Sequence, residues 1–312
     1  MNIAVIGSGG REHALCLKIK QSKLTKKLYC IPGNGGTREI AENVNVDIKD
    51  FDKIYRIILK YSIDLVVVGP EEPLVNGIVD YLSKKKINVF GPNKKAAQLE
   101  GSKAFVKNLC KSKKIPTARF KICNSLIKVK KNIKSFKYPL VVKADGIASG
   151  KGVFICKNYS SVISSAKKIF SGNFYGTKKL VLEEFINGEE LSYFLIVDDN
   201  NFRFFGSAQD HKKVGENETG PNTGGMGAYS PSLLFNKKLE KKIISRIVVP
   251  TLKYLKEKKI IYRGFLYVGL MIKNNNPYLI EYNVRMGDPE CQVILPLLKS
   301  DLVKIMKKVN TR

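Results

Sequence analysis

The sequence predicts two units in series: an α/β domain built on a doubly wound parallel sheet, then a mixed α+β unit. Three observations carry this. The chain has 312 residues, 44% of them hydrophobic, which suffices for two or three packed units. Up to about residue 101, short apolar runs ending at Gly or Pro alternate with helix-length segments, the signature of a parallel sheet. From residue 102, β-rich stretches follow one another in the manner of antiparallel pairs.

In chain order, strands are expected at 2–7 (NIAVIG), 28–31 (LYCI), 64–69 (DLVVVG) and 87–90 (INVF), with helices over 11–21, 51–61 and 74–86 between them. In such sheets ligands collect at the carboxyl ends of the strands. Beyond a helix starting near 102, β-rich runs cover 138–144, 152–156, 179–185, 191–197 and 202–208. A long loop is expected over 209–231, a helix over 236–258, and strands over 264–273 and 277–284. A small lid fits residues 115–185. No repeat of fixed period and no low-complexity linker interrupts the chain.

The formal net charge of +28 raises the possibility of a nucleic-acid partner. The cations are nevertheless spread over the whole chain, and 46 of the 55 are Lys and nine Arg. Base readers use Arg forks and stacking aromatics, and neither is clustered here. The charge therefore reads as a solvated surface that also favours anionic small substrates, with no specific nucleic acid as partner. Cys16, Cys30, Cys110, Cys123, Cys156 and Cys291 lack the close pairs of a zinc site and read as buried thiols. No apolar run reaches the length of a bilayer span, and MNIAVIGSGGREH enters a strand directly, so no membrane partner and a cytoplasmic location are expected.

After the first strand comes GSGGREHA, which places Gly9, Gly10 and Arg11 at a helix N-terminus, where backbone amides favour an anion. The dinucleotide fingerprint requires Gly at position 12, which here is Glu12. A tight turn without ligand also satisfies the pattern. PGNGGT at 32–37 and GPEEPL at 69–74 follow the next strands. Together the three loops suggest a polyol or phosphate pocket, with Glu71 available for hydroxyls.

In the second unit, YPLVVKADGIASGKGV (138–153) sets Lys143 at the end of an apolar strand, before a loop with Gly146, Ser149, Gly150, Lys151 and Gly152. Glycines let amides approach phosphate oxygens, and lysines add mobile charge. GxxxxGK[ST] is absent, so this is no Walker loop, and a ligand-free hairpin remains compatible with it. In LVLEEFINGEELSY (180–193), Glu183, Glu184 and Glu190 flank an apolar turn at Phe185 and Ile186. Carboxylates beside a hydrophobic slot suit an adenine amino group and ribose hydroxyls; an exposed acidic turn would look the same. Last, EYNVRMGDPE (281–290) puts Glu281 and Asn283 on one strand face with Arg285, while Tyr282 and Val284 point the other way. A polar sheet edge and a metal site both fit that pair.

The order Lys103, Lys143 with its glycine loop, EEFINGEE, then Glu281-x-Asn283 resembles the ATP-grasp superfamily, whose members join a carboxylate to an amine through an acyl phosphate. The blocks VIGSGGREHAL, PGNGGT, VGPEEPLVNGIVD, FGPNKKAAQLEGSKAFVK, VVKADGIASGKGV, QDHKKVGENETGPNTGGMGAYSP, GFLYVGLMI and EYNVRMGDPE more closely resemble the phosphoribosylamine-glycine ligase family, from residue 2 to about 303. That resemblance implies a Rossmann-like N-terminal domain (1–101) and an ATP-grasp domain (102–312) with its lid. It implies ligation of glycine to 5-phosphoribosylamine through glycyl phosphate, giving glycinamide ribonucleotide, ADP and phosphate in purine biosynthesis.

The residues carry over motif by motif. Lys103, Lys143 and 146–152 become phosphate contacts, Glu183, Glu184, Phe185 and Ile186 the adenine turn, and Glu190 the ribose carboxylate. Glu281 and Asn283 become oxygen ligands of Mg²⁺, or of Mn²⁺. Asn222, Thr223, Gly224, Gly225 and Met226 lie in the loop enclosing the reacting acyl group. Arg285, Lys143 and Asp210 are the candidate catalytic residues, and Asp288 could hold an ammonium. Phosphoryl transfer to a carboxylate needs metal and cations more than a strong base, and the chain has only His13 and His211.

Two departures stand out. Many ATP-grasp enzymes carry an acidic metal ligand about twelve residues before Glu281, where this chain has Gly269, as the closer family does. Relatives also continue for roughly a hundred residues as a C-terminal domain. A separately encoded partner supplying it, or a truncated nucleotide-binding subunit, is the alternative to an active ligase.

Overall fold

The computed structural model describes residues 1–147, 152–172, 177–199, 201–216 and 219–310. Its first sheet contains β1 (Asn2–Gly7), β2 (Lys27–Pro32), β3 (Glu42–Asn43), β4 (Leu65–Val68) and β5 (Val89–Phe90), all parallel, in the order β3-β2-β1-β4-β5. Central β1 is covered on both faces, so Ile3, Ala4, Val5 and Ile6 form an unbroken buried run. Strand order reverses at β1, and the loops GSGG, PGNGG and GPEE emerge beside one another there.

Helices α1 (Gly10–Lys20), α2 (Phe51–Lys60), α3 (Glu71–Asn76) and α4 (Ile78–Lys84) connect these strands. The single helix expected over 74–86 is two, because Gly77 takes a left-handed φ of 98° and ends the first. The helical start moves back to Glu71, which sits at a helix N-terminus and not in a free turn.

Short α5 (Gln98–Gly101) leads into α6 (Lys103–Lys113), whose N-terminus is capped by Ser102 Oγ accepting from Phe105 N at 3.1 Å. An antiparallel sheet follows, ordered β6-β9-β7-β8, from β6 (Phe120–Cys123), β7 (Leu140–Ala144), β8 (Val153–Cys156) and β9 (Leu180–Glu184). Helices α7 (Leu126–Ile133) and α8 (Tyr159–Phe170) cover it around Val129, Val142, Val162, Ile169 and Leu180.

The main sheet begins with β10 (Glu189–Asp198) and β11 (Asn201–Asp210). The expected long loop after them folds back as a hairpin of β12 (Lys213–Gly215) and β13 (Thr219–Asn222), and β14 (Ala228–Tyr229) then pairs with the end of β11. One long helical rod follows, from α9 (Lys237–Ile243) through a wide π turn at Ile244–Val248 into α10 (Val249–Glu257). Pro250 has no N–H for the regular ladder, and the wide turn absorbs that loss.

Strands β15 (Arg263–Lys273) and β16 (Asn276–Asn283) complete the order β14-β11-β10-β15-β16. Gly269 pairs with Glu281 but Leu270 pairs with Leu279, so Ile280 is an extra residue in β16. The bulge lets Leu279 and Tyr282 both face the core, opposite Leu270 and Val268, while Glu281 and Asn283 share the other face. Helices α11 (Glu290–Ile294) and α12 (Leu302–Asn310) close the fold against α1 and β15. All six cysteines are buried and free. Among the described residues no helix is long and apolar enough to cross a membrane.

Candidate active site

A cavity of about 370 Å³ lies where the two antiparallel sheets meet α3, α5 and α6. Its cationic wall starts with Lys103, whose Nζ donates to the Gly146 carbonyl at 2.9 Å. The start of the glycine loop is tied to the same helix, since Asp145 Oδ1 accepts from Ser102 Oγ and Ala104 N at 3.0 Å each. Gly146 has a φ of 113°, which only glycine adopts without strain. Ser149, Gly150 and Lys151 lie outside the described residues; Gly152 lines the cavity.

Lys143 projects from the end of β7, its Nζ 3.0 Å from Glu183 Oε2. Lys107 approaches Oε1 of the same carboxylate at 3.2 Å but lacks hydrogen-bond alignment there, and donates to Thr117 Oγ1 at 2.6 Å. Burial alone would raise the Glu183 carboxyl; Lys143 and Lys107 overcome it and hold the group below its usual value. Glu183 is therefore a buried counterion to two lysines. Glu184 is exposed at the end of β9, and with Phe185, Ile186 and Glu190 it lines the apolar end of the cavity.

Glu190 is engaged by Lys212, whose Nζ lies 2.6 Å from Oε2 and 3.8 Å from Asp210 Oδ1. Burial pushes the Asp210 carboxyl up to about 6, despite the Lys212 charge. Thr223 is tied back to Lys212 through the backbone, its N donating to Lys212 O at 2.6 Å. Thr223 and Gly224 line the cavity; Gly225 instead rests against Pro289, and Met226 is exposed. Asn222 contributes backbone to β13.

Glu281 and Asn283 line the floor, and neither side chain has a hydrogen bond or ion pair among the described residues. Burial would raise the Glu281 carboxyl, but Lys212, Lys143, Lys103 and Arg285 hold it below its usual value. A Cβ on Gly269 would lie 3.2 Å from Glu281 Cγ, so glycine there leaves Glu281 its room. Among the described residues no cluster of three or more His, Cys, Asp or Glu side chains has metal geometry, and this edge offers one carboxylate and one amide oxygen.

Arg285 follows the strand and bridges two carboxylates, with Nε 3.1 Å from Glu71 Oε2 and Nη2 2.8 Å from Glu100 Oε1. Glu100 Oε2 accepts from Val284 N at 2.8 Å. Burial pushes Glu100 up to about 7, while Arg285 pulls the other way. Asp288 lines the cavity with both oxygens in use, Oδ1 toward Gln292 Nε2 (2.5 Å) and Oδ2 toward Arg11 N (3.3 Å).

The first glycine loop is not part of the cavity wall. Gly9 N donates to Glu12 Oε2 at 2.7 Å, and the buried Arg11 side chain binds Glu12 Oε1 at 2.6 Å. Cβ atoms at Gly7 and Gly69 would come within 2.5 and 2.0 Å of Glu12. These glycines make room for a carboxylate, so the chain's own anion meets the Gly9 amide, and the glycine absent from position 12 has a physical reason. Gly10 packs against Gln292 and Asp288.

Glu100, Lys107, Lys212 and Glu290 also line the cavity, and sequence reasoning gave none of them a role. Lys107 follows Lys103 by one helical turn, a spacing that puts both on one face. Lys212 and Glu290 lie inside quoted motifs and differ from ordinary surface charges only by burial, which one sequence does not display.

Two family models match: phosphoribosylglycinamide synthetase, N domain, over residues 1–100, and its ATP-grasp (A) domain over residues 101–291. A phosphoribosylamine-glycine ligase from Mesorhizobium japonicum is 46% identical over 307 residues, covering 98% of this chain and 72% of the relative. The Haemophilus influenzae ligase of that name is 44% identical over 313 residues, 99% of this chain and 73% of the relative. A crystal structure of a phosphoribosylamine-glycine ligase from Thermotoga maritima superposes with a TM-score of 0.86 at 34% identity, over 100% of this chain and 75% of that one. The glycine loop, acidic turn and Glu281-x-Asn283 edge thus sit on an ATP-grasp fold with relatives matched along nearly the whole chain, and this chain belongs to the phosphoribosylamine-glycine ligase family.

Proposed function

We propose that this chain ligates glycine to 5-phosphoribosylamine with ATP, forming glycinamide ribonucleotide, ADP and phosphate, and that the cavity is where it does so. The observation that carries the reading is one cavity lined by Lys103, Lys143 and Lys212 together with Glu281, a carboxylate with no hydrogen bond or ion pair of its own among the described residues. Cations and an open oxygen ligand are what a polyphosphate and its metal require.

A glycine carboxylate oxygen attacks the γ-phosphorus of ATP, the bond to the β,γ-bridging oxygen breaks, and ADP leaves. The amine nitrogen of phosphoribosylamine then attacks the acyl carbon, phosphate departs, and the amine proton passes to solvent. Lys143 and Lys103 hold phosphate oxygens at the glycine loop. Glu184, Phe185 and Ile186 receive the adenine ring, and Glu190 the ribose once Lys212 turns from it. Glu281 and Asn283 fit Mg²⁺ or Mn²⁺ through a free carboxylate and an amide oxygen. The ion, when bound, neutralises charge on the transferring phosphoryl group. Arg285, fixed by Glu71 and Glu100, presents its remaining N–H donors to the reacting anion.

Purified protein incubated with ATP, glycine, Mg²⁺ and freshly generated phosphoribosylamine should form glycinamide ribonucleotide. Product no greater than that of a Lys143→Ala control would overturn the reading.

A further inference from the structure

Glu290, the first residue of α11, is 3% exposed, yet it lines the cavity. Its Oε1 accepts from Ser192 Oγ at 3.0 Å, and Ser192 Oγ lies 2.9 Å from the Tyr267 hydroxyl. This chain, Tyr267 to Ser192 to Glu290, fixes the carboxylate by one oxygen. Oε2 has no hydrogen bond or ion pair among the described residues. The backbone also yields to it: a Cβ on Gly287 would fall 2.1 Å from Oε2. A buried carboxylate held by one oxygen and open at the other is costly unless a cation arrives.

The protein's own cations near this end are committed elsewhere. Arg285 is bound by Glu71 and Glu100, and Lys212 lies closest to Glu190. Asp210 is a second buried carboxylate, 3.8 Å from Lys212 Nζ, and its negative charge and that of Glu290 repel each other. Asp288, the other acid of the same turn, has both oxygens occupied. We propose that Glu290 is the specificity residue that binds the α-ammonium of glycine, with Asp210 contributing a second negative charge.

The inference rests on the ligase reading and deepens it. Two amines enter this reaction, and chemistry tells them apart. Glycine stays largely protonated at neutral pH and needs a fixed anion. The attacking phosphoribosylamine nitrogen must keep its lone pair free and gains nothing from a buried carboxylate already in use.

The test is the kinetics of Glu290→Gln with all three substrates, and with glycolate, which replaces the ammonium by a hydroxyl. The variant should raise KM for glycine roughly 100-fold and leave KM for ATP and phosphoribosylamine within about threefold. The kcat/KM preference for glycine over glycolate should shrink at least about tenfold. Glycine KM unchanged, glycine and glycolate impaired equally, or an effect on phosphoribosylamine alone would each overturn the proposal. Should Glu290→Gln not melt cooperatively, Glu290→Asp and Ser192→Ala are read instead, with an unaltered glycine-to-glycolate preference in both counting against it. A wild-type protein that makes no glycinamide ribonucleotide defeats the ligase reading; the Glu290 assignment is then judged by calorimetric glycine binding with a non-hydrolysable ATP analogue, which Glu290→Gln should abolish.

Discussion

At Glu183 one carboxylate serves two buried lysines, and charge balance at the phosphate end of the cavity depends on it. Replacing it by Gln leaves Lys107 and Lys143 facing each other without an anion. Glu183→Gln should therefore destabilise the protein by about 3–5 kcal/mol in urea unfolding at pH 7. The pH dependence has a definite sign. Because the folded carboxyl lies below its ordinary value of 4.5, its contribution is complete above that pH and disappears as pH falls toward the lower folded value. The variant should show a shallower acid limb than the wild type, and an identical limb would contradict this account. Lysines such as Lys107 escape sequence reading because an amphipathic helix carries solvated lysines at the same spacing. Only the packing of β9 against α6 reveals that this one faces inward.

At the scale of elements, the turn between β16 and α11 decides where its acids point. Gly287→Ala must displace Glu290 from the Ser192 hydrogen bond or move the backbone. A stability loss of about 1–3 kcal/mol and a raised KM for glycine, with ATP binding retained, should follow. Strands such as β1, β4 and β15 were legible as apolar runs because burial on both faces leaves a continuous signature. The β12–β13 hairpin was not, since VGENETGPNT has no alternation, and β3 has two residues, too few to show any. The Glu281 and Asn283 pair was legible from period two within its last residues. The bulge at Ile280 was not, because a one-residue insertion shows only when Leu270 and Leu279 are seen paired.

Across the whole molecule, Arg285 fastens α3 of the first sheet unit to α5 and the end of β16. Arg285→Met would leave Glu71 and Glu100 unpaired, at a cost of about 3–5 kcal/mol. Burial already pushes the Glu100 carboxyl up to about 7, above its ordinary 4.5, so its ionisation in the fold opposes stability as pH rises through that interval. The variant should melt lower relative to wild type at pH 8 than at pH 5, and an equal deficit at both would count against the bridge. The apolar cores cross the same seam. Ile3, Val5 and Phe90 share one cluster with Phe265, Met286, Val303 and Met306, while Ala4 and Ile6 belong to another with Leu191, Leu266 and Tyr282. The boundary between the two matched family segments, at residues 100 and 101, is thus a boundary in sequence and not in packing. Severing the chain there would give two sticky pieces, each insoluble alone, that recover a working fold only when produced together, as a split reporter does.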